Sequence, residues 1–164
     1  MGSIVHSSRA VDAADARLLV ALAESPRATV LALAERVGMS RNTVQARLAG
    51  LEARGVLRPF EHRIDPAALG YPLMAFVMVQ VTQRMLDEVA AALGRVPEVL
   101  EVLGLSGSAD LQVQVVAYDA DDLYRIAGLL LAIDGVERTT TGLVMRRLVD
   151  YRVAPLLNRL AREG

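Results

Sequence analysis

The run Ser40-Arg41-Asn42-Thr43-Val44-Gln45-Ala46-Arg47 holds the side chains of this chain best suited to chemistry. An arginine guanidinium forks onto the N7 and O6 of guanine, and asparagine or glutamine pairs with adenine in the DNA major groove. Ser40 is of a type that caps helices, so the run reads as the start of a helix. Val44, Leu48 and Leu51 then turn inward, leaving Arg41, Asn42, Gln45 and Arg47 outside. Upstream, Ala34 stands four residues before Gly38, a small side chain where two helices must approach, and the glycine frees the turn. Residues 31–57, LALAERVGMSRNTVQARLAGLEARGVL, thus read as a helix-turn-helix. The N-terminal positions of the second helix of this motif enter the major groove. The candidate DNA-reading residues are Ser40, Arg41, Asn42, Thr43, Gln45 and Arg47, and the partner is double-stranded DNA. Any one of them also suits an ordinary solvated face; the whole constellation is the more specific signal.

Composition narrows the other chemistries. The chain has no cysteine and two histidines, His6 and His62, which excludes thiolate metal sites, disulfides and a cysteine nucleophile. No metal, no cofactor and no enzymatic activity are expected. All eighteen basic residues are arginine, which gives every basic site the fork geometry suited to phosphate and guanine. Residues 1–64 hold nine arginines against six acids, and residues 65–164 nine against thirteen. The first part is therefore the one fitted to nucleic acid. The apolar fraction of 53% exceeds the usual share and points to a buried subunit interface, at least a homodimer, open to higher oligomers. The apolar runs Leu73 to Val81 and Leu123 to Ile133 fall short of the roughly 18 residues of a membrane span. MGSIVHSSR lacks the apolar core of a signal peptide, so a cytoplasmic protein without a membrane partner is expected.

These residues require elements to position them. After a flexible arm over 1–10, helices are expected at Asp12–Glu24, Thr29–Val37 and Ser40 to about Arg54, the last closed by Gly55. Val56-Leu57 and Glu61 to Ile64 suggest a two-stranded wing around Pro59, so the DNA-binding domain spans 11–64. Residues 65–72 read as a linker. Residues 73–164 then alternate: strand Leu73–Val81, helix Met85–Leu93, strand Val99–Leu105, turn 106–110, strand Leu111–Ala117, helix Asp121–Ile133 and a long last strand Val136–Asp150. Leu111, Val113 and Val115 share one face and Gln112 and Gln114 the other. The order βαββαβ is ferredoxin-like, and the fold class is α+β.

Over residues 11–157 the chain resembles the Lrp/AsnC family, the feast/famine regulators. The resemblance rests on the helix-turn-helix stretch, on IDPAALGY, on LGLSGSADLQVQVVAYDADDLY and on TTTGLVMRRLV. It implies an N-terminal helix-turn-helix and a ferredoxin-like effector domain that takes an amino acid at a subunit interface. The matching loop is Ser106-Gly107-Ser108-Ala109-Asp110, with Gly107 and Asp110 on the family's Gly-x-x-Asp pattern. Ala109 stands where relatives usually have an aromatic residue, and Ser108 where they have an acidic or polar one. Thr139 and Thr141 fall on the last strand, where the family also places pocket residues. The effector-binding set implied is Gly107, Ser108, Ala109, Asp110, Thr139 and Thr141. Asp110 suits an ammonium and the glycine turn a carboxylate; equally, Gly107 suits a tight turn, Asp110 a loop hydrogen bond and the threonines a strand.

Two other functions fit the same outline. One is a ligand-independent architectural DNA-binding protein. The other is an enzyme like those relatives that decarboxylate tetrapyrroles with histidine and arginine of the second domain. No histidine follows His62 here, which speaks against the latter.

Overall fold

The structure, a computed structural model, describes residues 10–163. The chain divides into two compact units, Met1–His62 with Val149–Gly164, and Arg63–Leu148. The expected arm over 1–10 lies, apart from Ala10, outside the described residues.

In the first unit the first three helices each begin where a side chain can satisfy the free backbone N–H groups of the first turn. Helix α1 (Ala13–Glu24) opens on a reciprocal capping box between Asp12 and Asp15. Thr29 caps α2 (Val30–Val37) and Ser40 caps α3 (Arg41–Ala53). Gly38, at φ +68°, makes the left-handed turn between α2 and α3. Gly55 closes α3 in the same way: its N–H reaches the Glu52 carbonyl and the Val56 N–H reaches that of Leu51, both at 2.9 Å. Leu18, Ala21, Leu33, Ala34 and Val44 form the buried centre of the three helices.

The second unit is one antiparallel sheet of β1 (Leu73–Val81), β2 (Val99–Gly104), β3 (Leu111–Ala117) and β4 (Val136–Leu143), in the order β2-β3-β1-β4. Helices α4 (Leu86–Leu93) and α5 (Ala120–Leu131) connect the strands, and the arrangement is ferredoxin-like. Val77 lies opposite Val113 and Thr141, and Val79 opposite Leu111 and Thr139. On that face Val77, Val79, Val113 and Val115 pack with Val89, Leu93, Ile126 and Leu130 of the two helices. The alternating residues Met74, Phe76, Met78, Gln112 and Gln114 point the other way and are half-buried. Asp119 caps α5 by accepting the Asp122 N–H at 2.8 Å.

Three expectations are corrected. The wing is absent: Phe60–Arg63 is a 3-10 turn, and Val56-Leu57 is not a strand. Two residues supply too few ladder bonds to compete with a local turn, and the Pro59 carbonyl accepts the His62 N–H at 3.2 Å. The last strand ends at Leu143 instead of Asp150. Leu143 pairs with Ala75, so three residues later the ladder would meet Pro72, which has no N–H to donate. Residues 149–164, expected within the second domain, belong to the first unit, where Ala154–Ala161 forms helix α6 beside α1. Its signals were Pro155 in the first turn and the spacing of Leu156, Leu157 and Leu160. Within this unit the Arg58 guanidinium also lies 5.7 Å from the centre of the Tyr151 ring.

Gly135 precedes β4 at φ +92°, and a Cβ there would stand 2.9 Å from Met85 Cβ and 3.0 Å from Val89 Cγ2. Both the backbone conformation and the space demand glycine. Gly135→Ala is expected to lower the unfolding free energy by about 1–3 kcal/mol, measured by urea denaturation; a change within about 0.5 kcal/mol, the range of a surface substitution, would contradict this packing.

Candidate nucleic-acid interface and effector loop

Helix α3 presents a buried stripe, an outer stripe and two flanks. Val44 and Leu51 are buried and Leu48 half-buried. Asn42, Ala46, Ala49 and Ala53 are all exposed and fall at helical spacing on the opposite side. This stripe is small except at its N-terminal end, so it leaves the helix open to close approach. Arg41 and Gln45, one turn apart, are exposed on one flank. No hydrogen bond or ion pair among the described residues holds the side chains of Arg41, Asn42 or Gln45. Ser40 and Thr43 are engaged: the Ser40 Oγ accepts the Thr43 N–H at 3.1 Å, and their hydroxyls lie 2.8 Å apart. They shape the start of the helix.

Arg47 departs from the expected set. It lies on the other flank, where its Nη1 donates to Asp12 Oδ2 at 2.9 Å and to Asp15 Oδ1 at 2.7 Å. Arg54 Nη2 donates to Asp15 Oδ2 at 3.4 Å. Asp15 is the one buried charged residue among the described residues. A buried carboxylate is stable only if paired, so Arg47 is tied to the start of α1. The acid pair was missed by the sequence reading, although Asp-x-x-Asp at a helix start is a recognisable capping signal. Both of its effects on charge are directional. The Asp15 backbone N–H, and then Arg47, hold the Asp12 carboxyl below the usual carboxylate range. Asp15, and then Asp12, raise the Arg47 guanidinium further.

In the second unit, residues 107–110 come together as a loop between β2 and β3. Gly107 sits at φ +140°, a conformation that favours glycine. The Asp110 N–H donates to the Val79 carbonyl at 2.9 Å, and Asp110 Oδ2 accepts the Val81 N–H at 2.9 Å. Asp110 Oδ1 accepts the Gln83 side-chain amide, and the Ser108 carbonyl accepts that of Gln80. The loop is thus bolted to the end of β1, and Asp110 is first of all its anchor. Each carboxylate oxygen keeps a further lone pair for an additional donor. Ala109 is buried. Thr139 and Thr141 are not brought to this loop within one chain: β1 stands between β3 and β4, a separation of two strand spacings, about 10 Å. Thr139 is half-buried and Thr141 exposed. The anchoring roles of Gln80 and Gln83 had no local signal, because their partners lie 28 and 27 residues away.

The class that such a pairing of units defines is the helix-turn-helix transcriptional regulator with an attached ligand-binding domain. The family model of the AsnC-type helix-turn-helix domain matches residues 11–52, and that of the Lrp/AsnC ligand binding domain matches residues 74–154. The chain belongs to the Lrp/AsnC family. It is 31% identical over 146 residues to the HTH-type transcriptional regulator FL11 of Pyrococcus horikoshii, covering 89% of this chain and 97% of that protein. Among solved structures, a transcriptional regulator from Neisseria meningitidis in complex with L-Met superposes with a TM-score of 0.78 at 27% identity, over 92% of this chain and 99% of that one. The feast or famine regulatory protein from M. tuberculosis complexed with L-methionine gives 0.76 at 30% identity, over 86% and 96%.

The depressed Asp12 value generates a pH test. A carboxyl whose folded value lies below its unfolded one adds stability that is fully present above the ordinary carboxylate range, about pH 4, and is lost as pH falls through the folded value. Asp12→Asn keeps a good N-cap and cannot titrate. The melting temperature of the parent should therefore exceed that of the variant by a constant margin above about pH 5, and the margin should shrink as the solution is acidified further. Parallel melting-temperature profiles down to acid would contradict the ion pair.

Proposed function

We propose that this chain is a sequence-specific, double-stranded-DNA-binding transcriptional regulator whose DNA binding is modulated by a small metabolite, an amino acid. The observation that carries the DNA reading is the face of α3. Arg41, Asn42 and Gln45 are exposed and unengaged among the described residues, beside a stripe of alanines that lets base edges come close. Ser40 and Thr43 hold the start of that helix in shape. Arg47 is left out of the reading set because Asp12 and Asp15 occupy it. The chain works by binding and not by catalysis: its two histidines both precede the second unit, and its relatives are named transcriptional regulators.

A homodimer in the cytoplasm completes the reading. Met74, Phe76 and Met78 point away from the helix-covered core of the second unit and are half-buried in a single chain. Apolar area of that kind is seldom left open. Two-fold symmetry would offer two α3 helices to half-sites about one helical turn, or a multiple of it, apart. The amino-acid reading draws support from the two methionine-bound neighbours and from the glycine turn and acidic anchor of the 107–110 loop. A ligand at that loop would meet backbone N–H groups and the spare lone pairs of Asp110. Thr139 and Thr141, remote in one chain, would join such a site only through a second subunit.

Two measurements test these points. A duplex enriched from a random library should bind Arg41→Ala and Gln45→Ala more weakly by about 1–3 kcal/mol each, with stability changed by no more than about 0.5 kcal/mol. Undiminished affinity in both variants would place the reading surface elsewhere. Calorimetric titration with each of the standard amino acids, run together with light scattering for mass, should give a dimer or larger and at least one binder. Asp110→Asn, which keeps the Val81 bond, should weaken that binder about tenfold or more, the worth of one charge-assisted hydrogen bond. A monomer, no binder, or a variant as tight as the parent would each remove the corresponding part of the proposal.

A further inference from the structure

The groove between the start of α1 and the second flank of α3 has a volume of about 600 Å³ and is lined by Asp12, Asp15, Asn42, Thr43, Arg47 and Arg54, with Ala46 and Gly50 as its small residues. Asn42 and Thr43 thus belong both to the reading end of α3 and to the wall of a groove that holds two acids. Three arginines lie on or just past α3, Arg41, Arg47 and Arg54, and two of them are tied up there.

Holding the helices together accounts for only part of this arrangement. One guanidinium on the buried Asp15 would suffice, yet Arg47 Nη1 is shared between Asp12 and Asp15, and Arg54 adds a second cation at 3.4 Å. The outer members are open to water: the Asp12 side chain is 57% exposed and that of Arg54 47%. Exposed ion pairs contribute little to stability. The N-cap role of Asp12 needs only a short polar side chain, not a charge. What the two acids do accomplish is a local balance of two negative and two positive charges beside the reading face.

We propose that Asp12 and Asp15 mask Arg47 and Arg54 from the DNA backbone, so that the first unit binds through its base-reading side chains instead of through general phosphate attraction. The inference rests on the DNA-reading role of α3. An arginine released from its carboxylates would neutralise a phosphate, and each such contact steepens the dependence of log affinity on log salt by about 0.9. The mask lowers affinity for arbitrary sequence and so widens the gap between target and non-target duplexes.

The test uses the full chain and a mixed-sequence 30-base-pair duplex titrated across 50–250 mM NaCl. The double variant Asp12→Asn/Asp15→Asn should bind this duplex about tenfold more tightly at the low-salt end, with a salt slope steeper by about two, one for each freed arginine. Adding Arg47→Gln to that background should take back about half of the extra slope, an effect that a helix-holding role alone does not produce. Asp15 is buried, and if the double variant fails to fold, Asp12→Asn alone removes one of the two carboxylates that hold Arg47 and should still raise affinity about threefold. Equal or weaker binding by the folded variants, at an unchanged slope, overturns the mask. That outcome differs from failure of the underlying reading, in which the parent binds neither this duplex nor an enriched one and Arg41→Ala changes nothing.

Discussion

The carboxylate of Asp15 is buried, and a buried charge is tolerated only where opposite charge and hydrogen bonds meet it. That requirement reaches across the first unit. The partners available are Arg47 and Arg54, one near the middle of α3 and one at its end. Satisfying Asp15 therefore fixes how far α3 slides along α1 and which way it is rotated. Once the arginine flank faces α1, the buried stripe of Val44 and Leu51 packs inward. The stripe from Asn42 to Ala53 then faces out. The same carboxylate returns a bond to Asp12 in the capping box, so the start of α1 and the orientation of α3 are set by one network.

The second unit depends on a different constraint, the central position of β1. Every residue of this strand from Ala75 to Val79 pairs on both sides, and one face of it is buried under α4 and α5. On the side of β3 its pairing ends at Val79, and the backbone groups facing that side need other partners. Asp110 supplies them by taking the Val81 N–H with its side chain and giving its own N–H to Val79. The loop that carries Gly107 is consequently held by the most constrained strand of the sheet. A site placed on such a loop is pre-organised, which reduces the ordering cost of binding.

The C-terminal segment shows how neighbours overrule local preference. Val144 to Asp150 is rich in β-formers at its start, yet the ladder has run out of a donor at Pro72 and the strand stops. The chain then enters the first unit, where α6 lies beside α1 and Tyr151 beneath Arg58. None of the α6 side chains is fully buried, so its helix rests on the Pro155 start and on partial cover of Leu157 and Leu160.

Much of the architecture was legible in the residues themselves. Thr29 and Ser40 mark helix starts because a short polar side chain there can accept a first-turn N–H, and Gly38 and Gly55 mark turns because a left-handed backbone excludes most other residues. The alternation in β3 and the apolar run of β1 follow from the two-residue period of a strand, which needs no knowledge of partners. The exposed chemistry of Arg41, Asn42 and Gln45 was equally local, being a matter of helical spacing. What the sequence could not supply were choices between equivalent local options. Arg47 has the same spacing credentials as a reader, and only the approach of α1 commits it to Asp12 and Asp15. That Asp110 also anchors its loop is decided only when β1 arrives with a free N–H. Thr139 and Thr141 sit on a plausible strand, but the order β2-β3-β1-β4 sets them two strands from the loop. In each case the deciding partner is distant in sequence, and hydrogen bonds and ion pairs at a few ångströms are decided by the fold that brings those partners together.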